Sequence, residues 1–295
     1  MISLISPLMP VMMPVLLCAS LGWLWLRFNQ PFDQEFVRRL VMWVGAPALI
    51  VATLGRIDMS PELLGTVLLA ALVLLAVNAV FAVLFCRLAG FSLRDFLIPL
   101  VFGNFGNMGL PICLFAFGDE GLALALGVFL ATTLCHFSFG VAVLNGRAAV
   151  KAVSQSPVIY AGLFAACMVF FGWELPQTAA NTLGLLGNLS IPLMLITLGV
   201  SLGSLQVAVA GRALLLGVVR LLLGVSAGFA TVYVLELEGT LRNVILLQSA
   251  MPAAVFNYLL AMQYQREPAI VAGLVVSSTL ISFITIPLLL LYLGV

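Results

Sequence analysis

The sequence predicts an all-α polytopic membrane protein with ten transmembrane helices, arranged as two inverted repeats of five helices each. Three observations lead to this fold class: the chain is strongly apolar, its apolar runs recur at lengths of about 20 residues, and its two halves share spaced residues. The fourth and ninth runs are interrupted near their centres by glycine, asparagine or proline. Non-helical backbone at bilayer depth must be buried in protein or line a wet cavity, so we expect the functional site at these two breaks.

Composition excludes several classes of function. Hydrophobic residues make up 63% of the chain and charged residues 8%, with a mean hydropathy of +1.24, whereas soluble domains average roughly 45–50% apolar and about 25% charged residues. The net charge is +1 and no Lys/Arg-rich run is present, so no nucleic-acid interface is expected. The five cysteines lack CxxC or metal-ligand spacing, and we expect neither a metal nor any other cofactor.

The apolar runs follow one another with short connections, none of which has room for a soluble domain. The first run lacks a basic segment before it and is followed by Arg27, so we expect a retained span rather than a cleaved signal peptide. The ten predicted spans are residues 7–26, 39–55, 63–86, 96–117, 121–145, 156–173, 177–202, 211–235, 242–264 and 269–293.

Basic residues in the connections predict the orientation, because cytoplasmic loops carry an excess of Lys and Arg. With the N-terminus outside, nine basic residues fall in inner connections and two, Arg56 and Arg242, in outer ones, while Arg220 lies inside a span. Both termini are therefore expected on the periplasmic or extracellular side of the cell inner (plasma) membrane. The inner set is Arg27, Arg38, Arg39, Arg87, Arg94, Arg147, Lys151, Arg212 and Arg266.

Similarity between the halves indicates an internal repeat. A shift of 150 residues places Gly22-Trp23 on Gly172-Trp173, and a shift of 148 places Asn104 on Pro252. Five spans per half is an odd number, so the halves must lie upside down relative to each other, an arrangement typical of secondary transporters. We accordingly divide the chain into a first repeat, residues 1–147, and a second repeat, residues 148–295.

The stretch GNFGNMGLP interrupts the fourth span, and MPAA at 251–254 interrupts the ninth at an equivalent place. Glycines allow close backbone approach, and the helix that restarts after the break presents free N–H groups and a positive dipole end, which suits a carboxylate. The asparagines add neutral donors and acceptors. The alternative is a kinked helix whose amides satisfy the freed backbone groups. The stretch comprises Gly103, Asn104, Phe105, Gly106, Asn107, Met108, Gly109, Leu110 and Pro111.

GNFGNMGLP resembles the Asn-to-Gly-x-Pro motif of the auxin efflux carrier family, the PIN-like carriers whose bacterial members include malonate and malate permeases. The segment SAMPAAVFNYLLAMQYQREPAIVAGLVVSSTLIS, from Ser249, looks like that family's ninth and tenth helices. The resemblance covers the whole chain and implies an elevator-type secondary transporter of small organic anions, with an architecture like that of bile acid symporters and NhaA. It further implies a crossover of helices 4 and 9, a transport part (helices 3–5 and 8–10), a scaffold (helices 1, 2, 6 and 7) and a homodimer in the lipid bilayer.

The resemblance also implies roles for individual residues. Asn104 matches the substrate-contacting asparagine and Pro252 the crossover proline of helix nine. Two departures argue against auxin itself as the substrate: Gly103 stands where plant members have the helix-four proline, and Ala253 where they have a polar residue. The candidate substrate-binding residues are Asn104, Gly103, Phe105, Gly106, Asn107, Thr132, Phe137, Pro252, Ala253 and Asn257, and the candidate crossover residues are Gly109, Pro111 and Pro252.

Three kinds of polar residue inside the spans have two interpretations each. His136 either titrates during transport or is a hydrogen-bonded structural residue. Arg220 either attracts an anion or snorkels to the inner surface. The amides of Asn78, Gln248 and Asn257 either line a cavity or join helices. The carboxylates all fall in connections or at span ends, so we expect transport driven by the gradient of the anion and the membrane potential.

Two other classes were weighed against this interpretation. A sodium-coupled carrier of the bile acid/arsenite type is the alternative transporter, but such carriers are expected to have more polar or acidic residues at the crossover than Ala253 and Ala254 supply. An enzyme would need a nucleophile with its base or a metal set. The sequence has no HExxH, no GxSxG and one histidine, so an enzyme is not expected.

Overall fold

The structure, a computed structural model, describes residues 8–57, 59–145, 154–205 and 210–295. Throughout these ranges the chain is helical, apart from turns, short connections and one isolated β-bridge. The all-α membrane class is therefore confirmed. The described residues do not include Arg147, Lys151, the start of the first predicted span at residue 7 or the predicted boundary between residues 147 and 148.

Eleven helices are numbered here in chain order. Three of them contain internal irregularities: α2 includes a π-helical turn at Val41–Gly45, α5 begins with one at Phe105–Gly109 and has another at His136–Gly140, and α7 is interrupted by a turn at Leu189. The helices are α1 (Met9–Arg27), α2 (Gln34–Leu54), α3 (Pro61–Ala89), α4 (Leu93–Val101), α5 (Phe105–Leu144), α6 (Pro157–Phe171), α7 (Gln177–Ser204), α8 (Ala210–Val234), α9 (Gly239–Ser249), α10 (Val255–Gln263) and α11 (Pro268–Leu293).

Among the described residues, seven helices are long and apolar enough to cross a membrane: α1, α2, α3, α5, α7, α8 and α11. The predicted fourth span is divided between α4 and the start of α5, and the predicted ninth between α9 and α10. The fourth and fifth spans run on through α5, where Gly118 adopts a left-handed φ of 66° and turns the chain. A polytopic helical membrane protein is thus confirmed, whereas the count of ten spans stays a prediction.

Local sequence signals account for several helix ends. Asp33 caps α2 by accepting a hydrogen bond from the Phe36 N–H at 2.9 Å. Ser60 caps α3 by accepting one from the Leu63 N–H at 3.1 Å, and Pro61 occupies the first helical position, where its missing N–H costs nothing. At the other end of α3, Gly90 closes the helix in a left-handed conformation.

The helices pack in two sets. In the first set, α1 packs on α7, and α2 packs on α6 and α7. In the second set, α3 packs on α5 and α8, α8 packs on α9 and α11, and α10 packs on α11. Helix α5 contacts both sets, including α7 beside the π-helical turn. The breaks between α4 and α5 and between α9 and α10 consequently lie near the junction of the two sets.

Glycines bring α1 and α7 into close contact. A Cβ on Gly199 would overlap the carbonyl oxygen of Ala19, and a Cβ on Gly22 would overlap that of Ile196. Small residues allow such approach between membrane helices. Gly172, which the sequence comparison pairs with Gly22, serves a different purpose: it ends α6 in a left-handed conformation with open space around it.

We expect Gly199→Ala to destabilise the protein by about 1–3 kcal/mol, because the added methyl overpacks the α1–α7 contact. The matched control is Gly65→Ala in α3, where a Cβ would meet nothing within 4 Å. That control should be neutral or stabilising by roughly 0.5–1 kcal/mol, since alanine is the better helix former. Thermal unfolding of the purified protein in detergent compares the two. Equal midpoints would contradict the close α1–α7 packing.

Candidate functional site

The two breaks meet and satisfy each other's backbone. Gly103 and Ala253 form an isolated antiparallel bridge. On either side of it, the Asn104 N–H donates to the Pro252 carbonyl at 2.7 Å and the Ala254 N–H donates to the Phe102 carbonyl at 3.2 Å. Lipid offers no partner to groups freed from a helix, so this pairing is what allows both helices to be interrupted at depth.

Side chains from three other helices complete the end of α4. Asn78 of α3 donates from Nδ2 to the carbonyls of Leu100 and Val101, at 3.3 and 3.0 Å. Arg220 of α8 donates from Nη1 to the Leu100 carbonyl at 3.0 Å. Asn257 of α10 donates from Nδ2 to the Phe102 carbonyl at 2.8 Å. The orphan carbonyls of a helix C-terminus are thus satisfied inside the protein.

These contacts answer two of the open alternatives. Asn78 and Asn257 join helices, and Arg220 does not snorkel, because its side chain is fully buried and directed at the crossover. Pro252 and Ala253 are also buried behind the crossing, where the Ala253 N–H donates to Ser278 Oγ at 3.1 Å. Of the predicted substrate-binding residues, Pro252, Ala253 and Asn257 therefore support the crossover from behind and are not among the residues that line the cavity next to it.

A cavity of about 370 Å³ lies in front of the crossover. Its walls come from the start of α5 and the residues before it, from the part of α5 after Gly118, and from α2, α7 and α10. Seven predicted residues line it: Gly103, Asn104, Phe105, Gly106, Asn107, Thr132 and Phe137. The structure thus brings residues 103–107 of the predicted fourth span together with Thr132 and Phe137 of the predicted fifth span around one cavity. Gly109 and Pro111 lie deeper and buried, and a Cβ on Gly109 would overlap Gln248 Oε1.

Two polar atoms in the wall have no hydrogen-bond partner among the described residues, Asn104 Nδ2 and Thr197 Oγ1, whereas His136 interacts with the side-chain amide of Asn257. Asn104 is only 4% exposed. An unpaired buried donor or acceptor costs about 1–3 kcal/mol, so each of these atoms needs a partner that the described residues do not supply. Thr132 differs, because its hydroxyl donates to the Phe129 carbonyl at 3.0 Å.

One flank of the cavity is aromatic. The His136 ring stacks on Phe102, with centroids 4.1 Å apart and planes 4° from parallel, and it meets Phe256 edge-on at 5.3 Å. Phe137 packs edge-on against Phe256 at 5.4 Å. Within the described residues no carboxylate lies within ion-pair distance of His136. The His136 ring is therefore held in the cavity wall by its contacts with Phe102 and Phe256.

The solvent-exposed end of the cavity reaches the first turn of α2. Gln34 donates from Nε2 to Ser204 Oγ at 3.1 Å, which links α2 to the end of α7. Glu35 beside it accepts from Arg38 and from Arg39, each at 2.7 Å. The acidic side chain at the opening is thus neutralised by two guanidinium groups, and the opening does not repel anions.

Sequence reasoning did not find the α7 side of the site. Thr197, Ser201 and Ser204 line the cavity from that helix. Their spacing, i, i+4 and i+7, places them on one helix face and was the available signal. It was weak, because small polar residues at this spacing also mark ordinary helix contacts in membranes.

The chain is similar to known membrane transporters. Residues 141–290 match the family model described as membrane transport protein. An uncharacterized transporter of Methanocaldococcus jannaschii is 26% identical over 274 residues, covering 86% of this chain and 88% of its own, and one of Methanothermobacter thermautotrophicus is 29% identical over 269 residues, covering 87% and 88%. Auxin efflux carrier component 8 of Arabidopsis thaliana is 28% identical over 117 residues, covering 39% of this chain and 32% of its own.

These relatives are transporters rather than enzymes, and they agree with the resemblance carried by GNFGNMGLP. The chain belongs to the membrane transport protein family, that of the auxin efflux carriers, and is a multi-pass membrane transporter.

Proposed function

We propose that the chain is a secondary transporter of small organic anions, carboxylates such as malonate, malate or an auxin-like acid, bound at the crossover. One observation carries the proposal. Asn104 is buried in the cavity wall beside the start of α5, and its Nδ2 has no partner among the described residues. A carboxylate oxygen is the kind of acceptor that a neutral amide donor in a helix N-terminal position suits.

Helix dipoles add to this preference. α5 begins at Phe105 and α10 at Val255, and both residues line the cavity. The first N–H groups of a helix lack intrahelical acceptors and carry a positive partial charge. Two such ends converge on one cavity whose wall contains a single acidic residue among the described ones, Glu35, which is itself paired. The electrostatics therefore favour an anion.

The rest of the cavity suits an apolar body attached to that anion. Phe105, Phe129, Phe137 and Phe256 line it, and Met194 closes it from α7. Ligand sites of this type combine an apolar wall with a few polar groups that fix orientation. A small carboxylic acid places its charge at the amide end and its carbon skeleton against the rings.

The packing supports two inverted repeats, residues 1–147 and 148–295, with ten spans in all. α1 packs on α7 as α6 packs on α2, and α3 packs on the later part of α5 as α8 packs on α11. In each comparison, a twofold axis relating the two halves would place the first pair of helices on the second. In this proposal α1, α2, α6 and α7 form a scaffold that dimerises, and the remaining helices form a transport part that moves as an elevator against it.

The opening of the cavity fits the predicted orientation in the cell membrane. It lies at the first turn of α2 and the end of α7, beside connections that the basic residues place on the inner side. Asp95 and Arg266, from two other predicted inner connections, lie 3.9 Å apart. With both termini outside, this opening would face the inner side, and we assign this conformation to an inward-open state.

We expect Asn104→Ala to lower carboxylate binding and uptake by about tenfold or more, because a hydrogen bond to a charged group contributes about 1.5–3 kcal/mol. Folding should be unaffected, since Nδ2 has no partner to lose among the residues that the structure describes. Asn104→Asp, of the same size, should abolish binding through charge repulsion. The readouts are thermal shift and proteoliposome uptake with malonate, malate and indole-3-acetate.

The matched control for these variants is Asn181→Ala, which removes an exposed amide bonded to Gln177 on the surface of α7. It should leave uptake unchanged. Wild-type uptake by Asn104→Ala would count against the site at the crossover, and a wild-type protein stabilised by none of the three acids would count against carboxylates as substrates.

We further expect uptake to follow the anion gradient and the membrane potential alone. No unpaired carboxylate lines the described part of the cavity, so a proton relay lacks its usual acidic group. Ala253 and Ala254 offer only backbone groups to a sodium ion at the crossing. Proteoliposomes clamped at zero potential test this. Uptake that tracks an imposed pH gradient would refute it, and uptake that tracks sodium would favour the sodium-coupled alternative of the bile acid/arsenite type.

A further inference from the structure

Arg220 has the largest of the fully buried side chains among the described residues, and it lies in the middle of α8. Among the residues that the structure describes, no carboxylate lies within ion-pair distance of it. Its Nε and Nη2 have no hydrogen-bond partner there either. A charged residue inside a membrane protein is expensive and marks function when no counter-ion explains it. Arg220 therefore needs an explanation beyond helix packing.

The guanidinium lies where two broken helices end. Its Nη1 donates to the Leu100 carbonyl in the last turn of α4, at 3.0 Å. Gly224, one turn further along α8, leaves space both for Nη1 and for the carbonyl of Ser249, the last residue of α9. Arg220 thus stands between the C-terminal ends of α4 and α9.

The sign of the charge matches this position. The C-terminal end of a helix carries roughly half a negative elementary charge, and the N-terminal end roughly half a positive one. At the crossover two C-terminal ends, of α4 and α9, oppose two N-terminal ends, of α5 and α10. Without a cation the two pairs would largely cancel at the cavity. The single charge of Arg220 is of the size needed to offset both negative ends.

We propose that Arg220 is the residue that makes the crossover selective for anions, an inference that rests on the proposed transport of carboxylates. It offsets the negative ends of α4 and α9, so that the positive ends of α5 and α10 act unopposed on the cavity. Arg220 does not line the cavity. It is a positioning residue that acts through the field and through the end of α4, and not by contact with the substrate.

Gly103 lies between the Arg220 guanidinium and the cavity. Gly103 lines the cavity, and a Cβ on it would overlap Arg220 Nη2. A side chain at this position would therefore force the end of the Arg220 side chain to shift.

The test compares an anion with its neutral counterpart. Affinities of purified protein for indole-3-acetate and indole-3-acetamide, and for malonate and malonamide, give an anion preference that a merely structural change does not alter. We expect Arg220→Gln to reduce that preference by about tenfold or more, the scale of one charge acting over several ångströms in a protein. Arg220→Lys, which keeps the charge, should retain it. Arg242→Gln, at the first turn of α9 over the Tyr292 ring at 5.9 Å, is the matched control and should change nothing.

A second measurement tests the contact without any ligand. Gly103→Ala should lower the thermal midpoint in the wild-type background and lower it much less in Arg220→Lys, whose shorter end leaves room for the methyl group. Such a double-mutant cycle isolates the interaction between the two positions. Equal losses in both backgrounds would overturn the placement of the guanidinium behind Gly103.

The outcomes separate the two proposals. An unchanged anion preference in Arg220→Gln, with wild-type protein that binds the acids, overturns the role of Arg220 and leaves carboxylate transport standing. Wild-type protein that binds neither acid overturns both. Loss of preference in Arg220→Gln with rescue in Arg220→Lys supports the inference.

Discussion

The structure depends on one constraint: two helices are interrupted where lipid cannot hydrogen-bond to their backbone. The pairing of Asn104 N–H with the Pro252 carbonyl and of Ala254 N–H with the Phe102 carbonyl is the response to it. Neither break is stable without the other, because each supplies the acceptor that the other has lost. The crossing therefore sets the relative position of α4, α5, α9 and α10, and the cavity follows from it.

The buried polar side chains of the second helix set are explained by the same constraint. Asn78, Arg220, Asn257 and Ser278 come from four different helices, and each forms a hydrogen bond with the backbone of the crossing. These four residues do not line the cavity but hold the irregular segments in place, whereas Asn104 lines the cavity and has an unpaired side-chain donor. Asn104 is thus distinguished from the other buried polar side chains at the crossing by its place in the cavity wall.

Some of this was predictable from sequence because its physical signal is local. Glycine, asparagine and proline within an apolar run mark a break, and the shift of 148 residues that places Asn104 on Pro252 pairs two residues that are hydrogen-bonded in the structure. The same method paired Gly22 with Gly172, which have unrelated roles, since glycine serves both close packing and helix termination. Thr197 and the buried end of Arg220 were not predictable, because the direction of a side chain within an apolar helix depends on which neighbours the fold supplies.

Arg220 is separated from the cavity by the backbone of Gly103, and this separation suits a carrier, which must release what it binds. A guanidinium in direct contact would grip a carboxylate with two short, charge-assisted hydrogen bonds and oppose its release. Coulomb energy falls only in inverse proportion to distance, so a charge behind Gly103 still distinguishes an anion from a neutral molecule. The direct contacts with the substrate remain those of an amide and backbone N–H groups. In the proposed elevator, α8 would move with the crossover, and a bound monoanion would offset the buried charge of Arg220. We expect the loaded transport part to cross the membrane more readily than the empty one, because moving an uncompensated charge through the low-dielectric interior is costly.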